Sequence, residues 1–273
     1  MKKFARLYQR INLLSLDVAA GAMVSGLFFA RIFDVHMLPW GFITLGLTVW
    51  IIYTADHLMD AKRLSTPAST ERHRFHQRHF RELAFVLLVA ALIDVVLISL
   101  IRKPVLKSGL VLGAAVAVYL LLQQNLKFLK ELSGTVLYCS GVALPALSLA
   151  GFSITAYQGL LIVQFAITVL CNMLLFSLFG VREDLRDHHI SFVTIMGQGK
   201  TRFVLTALFI INGLLTALLL FPFSNMIGPA IVLLVMNLVL LFIFISPELF
   251  EMDGLYRLLG DAVFLFPLFF LWI

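Results

Sequence analysis

Long apolar runs joined by short polar links leave this chain few ways to fold. Nine such runs, each near the ~20 residues that cross a hydrocarbon core as a helix, fall at 12–33, 37–55, 83–101, 108–123, 134–151, 156–179, 203–221, 226–245 and 255–273. A hydrophobic fraction of 61%, only 13% charged residues and a mean hydropathy of +0.99 lie outside the range of soluble domains of this size. The expected fold is all-α: one integral membrane domain over 1–273, nine transmembrane helices around a central cavity, and polar cytoplasmic segments near 56–82 and 180–202.

The placement of charge orients the bundle. With the N-terminus inside, seventeen Lys/Arg face the cytoplasm and four, Arg31, Arg102, Lys103 and Lys107, face outward. The positive-inside rule then puts the C-terminus outside. The basic opening MKKFARLYQR leads into a run that contains Asp17 and shows no clear small-residue cleavage site, so residues 11–33 are read as a retained first span. Cys139 and Cys171 sit in apolar runs without metal-ligand or redox spacing and read as small core residues. The expected setting is a bacterial inner membrane, with membrane lipid as neighbour and no nucleic acid as partner.

Two polar clusters interrupt this pattern on the cytoplasmic side. The first, WIIYTADHLMDAKR, sets Asp56 and Asp60 four residues apart, on one face of a helix continued past Thr54, with Lys62 and Arg63 immediately after. Adjacent carboxylates are costly unless a cation or proton lies between them. The second, REDLRDHHISFVTIMG, puts Glu183, Asp184 and Asp187 within five residues, followed by His188 and His189. Taken alone it would be a solvated loop whose acids pair with Arg182 and Arg186. Taken together, two same-side carboxylate groups with basic neighbours can hold Mg2+ bridged to a diphosphate, since Mg2+ commonly uses one or two carboxylates plus phosphate oxygens. Apolar helices, in a chain with 25 Phe, could keep a carbocation from water and house an isoprenoid tail.

At this point the chain resembles the UbiA-type intramembrane prenyltransferases. That resemblance implies nine transmembrane helices, an aspartate motif of the type NDxxDxxxD after helix two, a DxxxD-type motif after helix six, and Mg2+-dependent transfer of a prenyl group from a diphosphate. Asp56 and Asp60 match the last two acids of the first motif, whose leading positions fall on Ile52 and Tyr53. Asp184 matches the last acid of the second, whose first position is Gly180, so Glu183 or Asp187 would supply the missing carboxylate. Lys127 and Lys130 resemble the family's basic residues between helices four and five. The implied activity is transfer of an alkyl group other than methyl from a prenyl diphosphate to an aromatic or other lipophilic acceptor. The implied ligands of Mg2+ are Asp56, Asp60, Glu183, Asp184 and Asp187, with Asp56, Asp60, Asp184 and Asp187 as the catalytic acids. Lys62, Arg63, Arg72, Lys127 and Lys130 would face the diphosphate.

Other readings stand beside this one. A non-catalytic membrane protein could bind lipid phosphates or a partner through the same basic face. The run RHRFHQRHFRE spaces His73, His76 and His79 by three and, with His188 and His189, could form a metal box, although its arginines favour a basic surface helix near phosphates. Lys127 and Glu131 could form a surface ion pair. Asp17 could face the bundle interior or the membrane interface, Asp94 could be functional or could pair with a neighbouring helix, and Asp261 has no evident role.

Overall fold

The computed structural model describes residues 2–64, 66–123, 125–220 and 227–271, and every regular element among them is helical. The helices are α1 (Lys2–Leu13), α2 (Leu16–Ile32), α3 (Pro39–Arg63), α4 (Glu71–Arg78), α5 (Phe80–Ile98), α6 (Lys103–Leu122), α7 (Lys130–Leu149) and α8 (Ala156–Phe179). They continue as α9 (Val181–Arg186), α10 (Phe192–Met196), α11 (Gln198–Leu220), α12 (Ile227–Ile245), α13 (Pro247–Glu251), α14 (Leu255–Ala262) and α15 (Pro267–Leu271).

Six helices (α3, α6, α7 with its leading turn, α8, α11 and α12) are long and apolar enough to cross a membrane, and a seventh counts if the first two helices form one broken span. That break is a bend of 78° at Ser15, whose left-handed φ of 55° ends α1. The expected first span therefore begins at Leu16, and the basic segment before it forms a separate helix. Of the other expected spans, 83–101 corresponds to α5, which carries Arg81, Glu82 and Asp94. Its counterpart at 255–273 is divided among α14, a tight turn at Val263–Leu265 and α15. The C-terminal end of α3 extends well beyond the expected limit at 55, which keeps the first aspartate pair helical.

The core forms around α2, packed between α3, α7 and the final turns. Close approach is possible because the contact positions are small: a Cβ on Gly21 would lie 2.9 Å from Phe264 Cβ, and one on Gly26 would lie 2.7 Å from Leu45 Cδ2. Phe29 and Phe165 meet edge to face at 5.2 Å, and Phe165 meets Phe264 in the same way. Polar bonds join α8, α11 and α12: Asn237 Nδ2 donates to Thr168 Oγ1 at 2.7 Å and Gln164 Nε2 to Thr216 Oγ1 at 2.7 Å.

The opposite side is open. α6 packs along α7, with no residue fully buried, while α3 and α5 pack together across from it. Val111 and Leu121 are 73% and 76% exposed, an arrangement suited to hydrocarbon as solvent rather than water. An integral membrane protein accounts for both the long apolar helices and these outward apolar faces.

Candidate active site

The space between α3, α5, α6 and α7 is a cavity of about 680 Å³. Along α3 its wall is one stripe: Gly41, Thr44, Leu45, Thr48, Val49, Ile52, Tyr53, Asp56, His57 and Asp60. These positions recur every three or four residues, so a single helix face carries both the aspartate pair and an apolar lane. From Gly41 to Asp60 this face runs about 28 Å at 1.5 Å per residue.

One end of the cavity is charged. α3 contributes Asp56, His57 and Asp60; α4 contributes Arg72 and His73; α7 contributes Lys130 and Glu131. Asp184 enters from α9, His189 and Ser191 from the segment after it, and Arg257 and Asp261 from α14. Gln123 Nε2 donates to Asp56 Oδ1 at 2.6 Å, and Arg63 Nη1 donates to Asp60 Oδ1 at 3.3 Å. Lys130 Nζ donates to His189 Nε2 at 3.0 Å. Burial, reinforced by Lys130, pushes His189 down to about 4; burial followed by Arg257 does the same to His73. Both rings are therefore neutral near pH 7. Burial raises the Asp184 carboxyl, against the opposing pull of a Ser191 hydrogen bond and of Arg257 and Lys130.

Arg72 occupies a second, more enclosed set of contacts. Its Nη2 donates to Asn12 Oδ1 at 2.8 Å and to Asn12 O at 3.1 Å, and lies 3.6 Å from Asp261 Oδ2. Asn12 Nδ2 in turn donates to Asp17 Oδ2 at 2.6 Å and Asp261 Oδ2 at 2.8 Å. Thus two intramembrane acids whose roles were open in sequence share Asn12, and one of them pairs with an arginine from α4.

The polar segments after α3 and α8 converge. Asp187 accepts hydrogen bonds from Ser69 N at 3.0 Å and Ser69 Oγ at 2.6 Å, and the His73 and His189 rings lie 6.5 Å apart. This geometry divides the expected residues. Asp56, Asp60, Asp184, Arg72 and Lys130 line the cavity; Lys62, Arg63, Lys127, Glu183 and Asp187 are not on its wall. Asp187 instead joins two loops, and Glu183 borders a separate pocket with Arg182, Arg202 and Glu251. Lys62 and Lys127 are exposed. Glu131 does not take Lys127 as its partner: its Oε1 accepts from Phe192 N at 2.6 Å, at the start of α10.

The expected histidine box does not assemble. The His79 ring lies tilted against Phe75 at 4.7 Å, His188 is exposed, and His76 Nδ1 lies 2.9 Å from Arg72 O. Only His73 and His189 of that set reach the wall, joined there by His57. His57, Arg257 and Asp261 were not singled out for the site from sequence. The available signals were His57's place beside Asp56 and the i, i+4 spacing of Arg257 and Asp261, which puts both on one face of α14.

Among the described residues no group of three or more His, Cys, Asp or Glu is arranged as a metal cage. The donor set nevertheless fits Mg2+ taking part of its shell from phosphate and water: Asp56, Asp60 and Asp184 supply hard oxygens on the wall. His57 Nδ1, Arg72 Nε, Glu131 Oε2 and Asn172 Oδ1 are buried there without a protein partner, which suits a polar occupant.

The helical bundle is that of solved UbiA homologues. It is similar to an apo UbiA homologue from Aeropyrum pernix K1, at TM-score 0.66 and 14% identity over 97% of this chain and 98% of that one. A UbiA homologue from Archaeoglobus fulgidus, bound to DMAPP and Mg2+, matches at TM-score 0.62 and 12% identity, over 93% of this chain and 98% of that one. No family model and no curated protein matches the sequence. The likeness inferred from the two aspartate segments thus holds for the fold: the chain has a UbiA-type fold.

Proposed function

We propose that this protein is a Mg2+-dependent, UbiA-like prenyltransferase that moves a prenyl group from a prenyl diphosphate to a lipophilic acceptor. In this reading nine membrane crossings, some of them broken, surround a central cavity in a bacterial inner membrane, with the charged end cytoplasmic, the N-terminus inside and the C-terminus outside. The observation that carries it is one cavity with carboxylates and cations at one end and an apolar lane at the other. DMAPP, a prenyl diphosphate, and Mg2+ in the Archaeoglobus homologue support the substrate and metal classes.

Lys130 and Arg257 would face the diphosphate, while Asp261 and Asn12 hold Arg72 at its margin. Asp56, Asp60 and Asp184 would hold Mg2+, which supplies charge neutralisation to the leaving group. Heterolysis of the C1–O bond leaves the electron pair on diphosphate and an allylic cation at C1. Tyr53, Tyr119 and Phe176 line the wall beside the charged end and would exclude water while the acceptor forms its bond to C1. The acceptor's proton would leave through the polar end. Neutral His73 and His189 leave anion binding at pH 7 to Lys130 and Arg257.

A protein that merely bound headgroups would carry its cations outward, whereas Arg72 is buried and Lys130 and Arg257 line the interior. The test is diphosphate release by purified protein with Mg2+ and labelled prenyl diphosphates. Release should be lost in Asp56→Ala and Asp184→Ala; undiminished release in either would remove that residue from the mechanism.

A further inference from the structure

A second polar station lies in the apolar lane, away from the charged end. Asp94, on α5, is buried and lines the cavity. Thr48 Oγ1 donates to its Oδ2 at 2.7 Å, but Asp94 Oδ1 has no hydrogen-bond partner. One turn back along α3, Thr44 Oγ1 is likewise buried, unpartnered and on the same wall. Thr48 is eight residues from Asp56, so the station lies about 12 Å along α3 from the nearer aspartate. No ion pair reaches Asp94 among the described residues.

An acid inside a membrane span is costly unless it is paired, and such residues characteristically face partners or functional cavities. Here the pairing is half complete. The unmatched atoms define what completes it: Asp94 Oδ1 can accept a hydrogen bond, and the Thr44 hydroxyl can donate one. An ammonium would bring three donors to this pair, and no anion finds a cation on Asp94. A single hydroxyl, donating to Asp94 and accepting from Thr44, satisfies both atoms.

We propose that Asp94, Thr48 and Thr44 bind the hydroxyl of a lipophilic alcohol whose hydrocarbon body lies in the cavity. Its spacing from Asp56 makes this hydroxyl an anchoring group rather than the reacting one. Its use as a handle on the prenyl acceptor rests on the transferase reading; the binding itself does not.

Farnesol and farnesyl methyl ether separate the two contacts, because the ether oxygen accepts a hydrogen bond but cannot donate one. In competition against tritiated farnesol on the detergent-solubilised protein, the alcohol should displace about tenfold better than the ether, as expected for loss of one buried hydrogen bond. Asp94→Leu should bring the two competitors within about twofold of each other. Thr44→Val, which leaves the Asp94–Thr48 bond intact, should weaken both by a similar factor of about threefold, a modest hydrogen-bond loss. Equal displacement by alcohol and ether in the parent protein would overturn the station, as would an unchanged preference in folded Asp94→Leu. Should Asp94→Leu not fold, Thr44→Val decides the matter: undiminished affinity for both probes rejects the site. Because diphosphate release is not read, failure of the transferase assay leaves this result independent.

Discussion

Two polar groupings meet at the charged end of the cavity, and they differ in how far their needs are met within the protein. Arg72, Asn12, Asp17 and Asp261 satisfy much of one another's charge and hydrogen-bonding capacity, tying α1, α2, α4 and α14 together. Across from them, Asp56, Lys130, Asp184 and His189 are spread over different walls around open volume. The first arrangement braces the fold; the second leaves charge available to a ligand. The same residue types therefore do different work according to whether their partners come from the chain or from outside it.

The largest effect that would test this contrast is on stability. Arg72→Ala leaves buried Asp261 without its arginine and Asn12 without its donor, and should cost about 3–5 kcal/mol, the usual penalty for breaking a buried pair. It should appear as a lowered denaturation midpoint in detergent; an unchanged midpoint would show that the network does not brace the fold. Lys130→Ala should do the reverse, slowing diphosphate release by about a hundredfold, near 2.7 kcal/mol of lost anion stabilisation, with little change in that midpoint. Equal loss of folding stability in both variants would erase the distinction.

Acidity provides a smaller effect. Unfolded histidine binds a proton near 6.5, whereas folded His73 and His189 resist it until about 4. The unfolded state thus binds more protons between these values, so stability should be full at neutral pH and fall as pH drops from about 6.5 towards 4. Denaturation midpoints across that range should flatten in His189→Gln. The smallest change is expected for Asp187→Ala, which removes the contacts to Ser69 and should cost about 1 kcal/mol per hydrogen bond at most. Faster proteolysis between α3 and α4, with release rates within a few-fold of the parent, would identify Asp187 as a loop fastening.

Much of this organisation was legible in sequence because it follows from helix register. The apolar runs foretold the long helices, and the spacing of Asp56 and Asp60 foretold their common face. What escaped notice depends on partners distant in sequence. Nothing local to Asp17 announces that Asn12 will bridge it to Asp261, 249 residues from that asparagine. Asp187 reads like its acidic neighbours until Ser69 is brought against it. Arg257 falls inside the expected last span at 255–273, and only the division of that span into α14, a tight turn and α15 brings it to the cavity wall. Hydropathy also could not show the bend at Ser15, where backbone geometry turns a basic segment away from the helix that follows.

The sparse packing of α6 has a consequence for how this protein can diversify. With no residue of that helix fully enclosed by the rest of the chain, changes along it escape much of the volume constraint that governs α8 and its neighbours. Its cavity side, including Gly109 and Gly113, can gain bulk where an added methyl group meets nothing within 4 Å. The shape of the cavity can therefore drift by substitutions on one helix while the folding problem solved by the others stays the same.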